Sequence, residues 1–149
     1  MEEPDAGEQG DQTEITGRQL RHAVRRADLP AVAEVRQLLR EHLRMWGVPA
    51  LVDTAELLTT ELVTNALQHT GDGAVVVVGL DPGASAMRLR VEVHDTVTRR
   101  PRLRDGAAED DQSTSGRGLL LVEVLADAWG VHAMGTGKVV WFELDVATA

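Results

Sequence analysis

Cysteine is absent from the 149 residues of this chain. That excludes disulfide bonds, a thiolate nucleophile and Cys-ligated zinc. Lysine occurs once, as Lys138, and the 15 Lys and Arg residues are outnumbered by 24 Asp and Glu, for a net charge of −9. Such a balance lacks the basic footprint of a protein that binds duplex nucleic acid or an anionic membrane. No apolar run approaches the roughly 20 residues needed to cross a bilayer. The opening stretch MEEPDAGEQGDQTE is acidic, the opposite of a secretory signal or a basic transit peptide. No paired histidines stand at the helical spacing of a zinc protease. The expectation is a cytoplasmic protein with no direct contact to nucleic acid or membrane.

What is present suits one folded domain. The hydrophobic content of 43% is ordinary for a globular chain, and this length can bury a single core. Residues 1–13 are polar and predict a disordered acidic tail, leaving 14–149 as the domain. Ile15 to Arg26 reads as an edge strand. Val32, Val35, Leu38, Leu39, Leu43 and Trp46 then recur at three-to-four spacing and predict a helix that begins near Leu29 and is ended by Gly47. A second helix is expected from Val52 to His69, with Leu57, Leu58, Leu62, Val63, Ala66 and Leu67 on its apolar face. Ala74 to Leu80 reads as a strand buried on both faces. Met87 to Asp95 reads as its antiparallel neighbour across the Asp81-Pro82-Gly83 turn. Thr96 to Ser115 has no periodicity and predicts a long functional loop. A third helix from Leu119 to Ala128 and two short strands, Gly130 to Ala133 and Val139 to Val146, complete the chain. This order fits an α+β fold: a two-layer α/β sandwich with helices on one face of a mixed, mainly antiparallel sheet. Arg18, Arg21, Arg25, Arg26, Arg36, Arg40 and Arg44 make the early part locally basic. They form either a solvated helix face or a docking surface for an acidic partner.

Three constellations could carry chemistry. Glu61, Asn65 and His69 stand at i, i+4 and i+8 on the second helix and share one drifting stripe. An amide and a carboxylate on a partly buried stripe need partners, and one amide oxygen plus phosphate oxygens is a shell that magnesium accepts. A plain amphipathic stripe is the alternative. Asp95 ends its strand on the side of Met87, Leu89, Val91 and Val93, where it could accept a hydrogen bond from an adenine amine or simply cap the turn. Gly116, Arg117, Gly118 and Leu119 open a helix whose exposed amides could bind phosphate, although Thr114 or Ser115 could equally cap it. Trp46, Trp129 and Trp141 are expected in or at the edge of the core.

Taken in order, ExxxNAxxH, a strand ending in Asp, a long loop and GRGLxL opening a helix resemble the GHKL superfamily of gyrase-type ATPases and histidine-kinase catalytic domains. Within it, ELVTNALQH and the ending GRGLLLVEVLADAWGV…GKVVWFEL are similar to the anti-sigma-factor serine/threonine kinases. The resemblance covers about Leu29 to Leu144. It implies ATP and Mg2+ as cofactors, Asn65 as magnesium ligand, Glu61 as catalytic carboxylate and Asp95 as adenine anchor. Gly116 and Gly118 would hinge a mobile ATP lid, with Arg117, Leu119 and the polar position His69 at the nucleotide. A sigma factor or an anti-sigma-factor antagonist is the implied partner, by partner switching, and a homodimer is compatible with the resemblance. Two positions depart from the pattern. Val97 stands where the family has a glycine after the strand, and Val139 where it has a threonine directed toward adenine. These departures keep open a non-catalytic module that uses ATP to set partner affinity.

Overall fold

Alternation of apolar and polar residues builds a single six-stranded sheet, and two-faced helices cover one side of it. The computed structural model describes residues 13–25, 29–70, 73–82, 86–95, 116–134 and 137–147. Its strands are β1 (Thr13–Thr16), β2 (Gln19–Val24), β3 (Ala74–Pro82), β4 (Ala86–Asp95), β5 (Ala128–Met134) and β6 (Gly137–Ala147). Its helices are α1 (Leu29–Met45), α2 (Val52–Thr70) and α3 (Gly116–Leu125), with a short 3-10 turn at Pro49–Leu51 before α2. The strands lie in the order β1-β2-β3-β4-β6-β5, and every described pairing is antiparallel. The α+β sandwich expected from the sequence is thus present.

Several boundaries differ from expectation for local reasons. Ile15 to Arg26 is not one edge strand but a hairpin, with Thr16 paired to Gln19 across a two-residue turn. β2 is therefore interior, and Leu20, His22 and Val24 are buried. β3 is buried on one face only. Ala74, Val76, Val78 and Leu80 are buried, whereas Val75, Val77 and Gly79 are half-buried. Val's preference for pleated backbone, not double coverage, explains the β-branched run. α3 begins three residues earlier than predicted and ends at Leu125, so β5 starts at Ala128. Residues 1–12 of the expected tail, the expected lid at 96–115 and Val97 lie outside the described residues, whereas Thr13, expected as the end of the tail, begins β1.

Helix α1 stops where its sequence says it should. Gly47 adopts φ +83°, its N–H donates to Arg44 O at 3.1 Å, and the Val48 N–H donates to Leu43 O at 2.9 Å. This paired closure satisfies the last carbonyls and lays buried Val48 against buried Leu43. Gly73, at φ +118°, joins α2 to β3 where a Cβ would lie 2.7 Å from Val24 O. Only glycine fits both that backbone and that approach.

The helix layer and the sheet enclose one core. Leu39, Leu43, Leu58, Val63 and Val122 from the helices meet Val78, Leu89, Val91 and Phe142 from the strands, all nearly inaccessible. Trp46 and Trp129 pack at its edge. The opposite sheet face carries ion pairs instead. Arg88 Nε lies 2.9 Å from Asp145, Arg90 Nη1 2.8 Å from Glu143, and Arg90 Nε 2.9 Å from Glu92. Arg90 also lies 4.1 Å over the Trp141 ring, so Trp141 belongs to this outer face. Burial opposes ionisation of Glu92, but Arg90 and His94 outweigh it and hold the carboxyl below its usual range.

Candidate functional site

Helix α2 is the element on which the candidate residues converge, because it packs against α1, β3, β4 and α3. Its burial is broad: Val52, Ala55, Leu58, Thr59, Leu62, Val63, Ala66 and Leu67 are all inside. Leu57, expected on the apolar face, is 41% exposed. At 100° per residue it falls on the same outward side as exposed Gln68.

Asn65 is only 8% exposed. Glu61, one turn earlier, is half-buried at the margin between Asn65 and the solvent side. A buried amide beside a half-open carboxylate is what a polar ligand site on a helix needs, since the amide is oriented and the carboxylate still reaches a substrate. His69 falls in the last turn of α2, with its side chain outside the described residues.

Asp95 closes β4 opposite Ala74 and is half-buried. It lies on the helix-side face with Val91 and Val93, as the alternation predicted. Gly116, Arg117, Gly118 and Leu119 form the first turn of α3, not a loop before it. Their side chains lie outside the described residues. The elements that carry the three constellations are neighbours: α2, with Glu61 and Asn65, packs against β4, which ends at Asp95, and against α3, which begins at Gly116.

Among the described residues no group of three or more His, Asp or Glu is gathered to hold an ion. A single buried amide is a sufficient protein contribution for magnesium only where phosphate oxygens and waters complete the shell.

The strand register changes the meaning of one departure. Val139 pairs with His94 and with His132, which puts it on the sheet face opposite Asp95 and the helices. It is buried there at 2%. By this pairing the side chain of Val139 falls on the face away from Asp95. Its neighbour Lys138 takes the helix-side face, and extending the β4–β6 register by one residue sets it across from Asp95.

Sequence reasoning missed Glu56. It lies on the α1 flank of α2 at 9% exposure, with Arg40 Nη2 at 2.7 Å and Arg36 Nε at 2.9 Å. The hydrogen bond from Arg40 does most to hold its carboxyl below the usual range; burial opposes this and Arg36 assists. Two of the seven early arginines are thus engaged within the fold. Their i, i+4 spacing on α1 could have revealed the clamp.

Comparison with known proteins agrees with this geometry. Residues 25–144 match the model of the histidine kinase-like ATPase domain. That stretch spans both helices of the α1–α2 pair, the whole of β3 and β4, and α3. No curated protein matches the chain. No described helix is long and apolar enough to cross a membrane. The chain belongs to the histidine kinase-like ATPase domain family, which makes ATP its implied ligand.

Proposed function

We propose that this protein is a Mg-ATP-dependent regulatory serine/threonine protein kinase of the anti-sigma-factor type, acting in the cytoplasm by partner switching. The observation that carries the reading is the pairing of buried Asn65 with half-buried Glu61, one turn apart on α2. Asn65 contributes the protein's oxygen to magnesium. The ion, when bound, screens the charge of the β- and γ-phosphates. Asp95 accepts a hydrogen bond from the adenine amine. The amides of the α3 first turn, from Gly116 through Leu119, favour the phosphates through their unpaired N–H groups and the helix dipole. His69 and Arg117 complete the polar surround.

Glu61 acts as base. It takes the proton of an incoming serine or threonine hydroxyl while that oxygen bonds to the γ-phosphorus. The bond from the γ-phosphorus to the β–γ bridging oxygen breaks, and ADP leaves with the electron pair. The hydroxyl belongs to an antagonist protein, and the protein so regulated is a sigma factor or a similar target.

The test is to incubate the protein with labelled ATP and candidate antagonists, and to compare wild type with Glu61→Ala. Label is expected on an antagonist with wild type and not with the variant. ATP binding that weakens in Asn65→Ala, without label transfer by wild type to any antagonist, would replace the kinase reading with a non-catalytic ATP-dependent binding module.

A further inference from the structure

Of the large apolar side chains left exposed among the described residues, Leu57 alone shares a helix with Glu61 and Asn65. One exposed leucine is ordinary on a protein surface; its place on α2 is what carries meaning. At 100° and 1.5 Å per residue, a step of four positions turns about 40° and climbs about 6 Å. Leu57, Glu61 and Asn65 stand at i, i+4 and i+8, so they follow one drifting stripe. Exposure falls along it: Leu57 is 41% exposed, Glu61 is half-buried and Asn65 is 8% exposed.

Resting on the reading of Asn65 and Glu61 given above, we propose that Leu57 selects the phosphate acceptor. The acceptor enters as an extended segment laid along the stripe, with its serine or threonine at Glu61 and an aliphatic side chain two residues away on Leu57. With the nucleotide held at the buried end of the stripe, the open end is where an acceptor approaches. In an extended chain alternate side chains point the same way and stand about 6.6–6.8 Å apart, close to one step of the stripe. The residue next to the serine points away from α2 instead. A helical acceptor is a poorer match, since its axis would stay about 8–10 Å from that of α2 while a serine side chain is short.

Charge around Leu57 sharpens the selection. Exposed Asp53 stands one turn before it and half-buried Glu61 one turn after. Glu123, exposed on the adjoining α3, adds to the same sign. Asp53 also lies in the field of Arg40, whose guanidinium is bonded to Glu56 at 2.7 Å. An acidic side chain brought to Leu57 would meet carboxylates and gain no apolar contact, so it is refused. A basic one gains only surface ion pairs, which are worth little in water, and leaves the leucine uncovered. An aliphatic one removes apolar area on both partners from water.

Serine peptides that differ only at the position two residues from the serine, where they carry Leu, Gln, Lys or Glu, test this. A further peptide has the Leu moved next to the serine, and two sets place the varied position before or after it. Each is given with Mg-ATP to the full chain, to Leu57→Gln and to Leu57→Met, and label transfer is measured as kcat/KM. In one set the Leu peptide is expected to exceed the Gln peptide about tenfold. Lys and the moved Leu should do no better than Gln, and Glu should be lowest. Leu57→Gln should level the Leu and Gln peptides and Leu57→Met should keep them apart, with ATP affinity and thermal melt unchanged in both. Equal labelling of all peptides, a preference for Lys, labelling of none while ATP still binds, or a preference that survives Leu57→Gln would each overturn the proposal. A full chain that binds no ATP would instead overturn the reading of Asn65 and Glu61, and this selection with it.

Discussion

Glu56 and Glu61 stand five residues apart on α2, and the molecule sets them in different surroundings. Glu56 faces α1, is nearly inaccessible, and is held by two guanidinium groups within 3 Å. Glu61 lies toward the other flank, half-open, one turn from buried Asn65. The first has its chemistry consumed inside the fold, where charge-assisted hydrogen bonds fix one helix to the next. The second is half-open and one turn from a buried amide, on the helix that also packs against β4 and α3. The residue type does not decide how open a glutamate is left; the element packed beside it does.

The sharpest way to break this contrast is to neutralise each carboxylate in turn. Glu61→Gln is expected to lower phosphoryl transfer by about 10²- to 10⁴-fold, the range for removing a general base, with little change in the melting temperature. Equal losses of activity in Glu56→Gln would mean that the two flanks are not separate. Next in size, Asn65→Ala should weaken ATP binding by about 10- to 100-fold when magnesium is present. Its effect should shrink when the cation is withheld. Calorimetric titration with and without magnesium measures both, and a loss independent of the cation would remove Asn65 from the role proposed for it.

Glu56→Gln should act on stability alone, by about 1 kcal/mol, because its arginine partners are themselves 43–49% exposed and regain water. The sign with pH follows from the depressed carboxyl. A group whose folded value lies below its ordinary value of 4.5 stabilises the fold above that value and ceases to do so as pH falls through the lower one. Denaturant midpoints measured from neutral pH down through this window should therefore fall more steeply in wild type than in Glu56→Gln. Parallel curves would show that the clamp contributes nothing.

Much of the fold was legible because its signals are local. The three-to-four spacing in α1, the β-branched run of β3 and the alternation in β4 each specify an element without reference to the rest. The candidate site was legible for a related reason: Glu61 and Asn65 share a helical stripe, and Asp95 follows from counting along one strand. What escaped depended on pairing between distant segments. The split of Ile15 to Arg26 into two strands is decided by β2 docking on β3, which buries Leu20 and Val24 opposite Val78 and Ala74. The true setting of Val139 needed the β4–β6 register, because a one-residue slip exchanges the two sheet faces. Glu56 needed the packing of α1 on α2, since nothing within its own helix distinguishes it from Glu61.

Between the two glutamates, Thr59 faces the core and offers the smallest and most discriminating test. It is fully buried, and its hydroxyl has no hydrogen-bond partner among the described residues. An unmatched hydroxyl in such a place costs about 1–3 kcal/mol by mutational measure. Thr59→Val keeps the shape and removes the polar atom, so it should stabilise the protein by about 1 kcal/mol. Thr59→Ala removes the methyl as well and leaves a void, so it should fall below Thr59→Val. Thermal melts rank the three, and a Val variant less stable than wild type would mean that the hydroxyl is satisfied in solution. Neither change should alter ATP affinity. If one does, the middle of α2 transmits strain to Asn65, and the separation between its structural flank and its chemical flank fails from within.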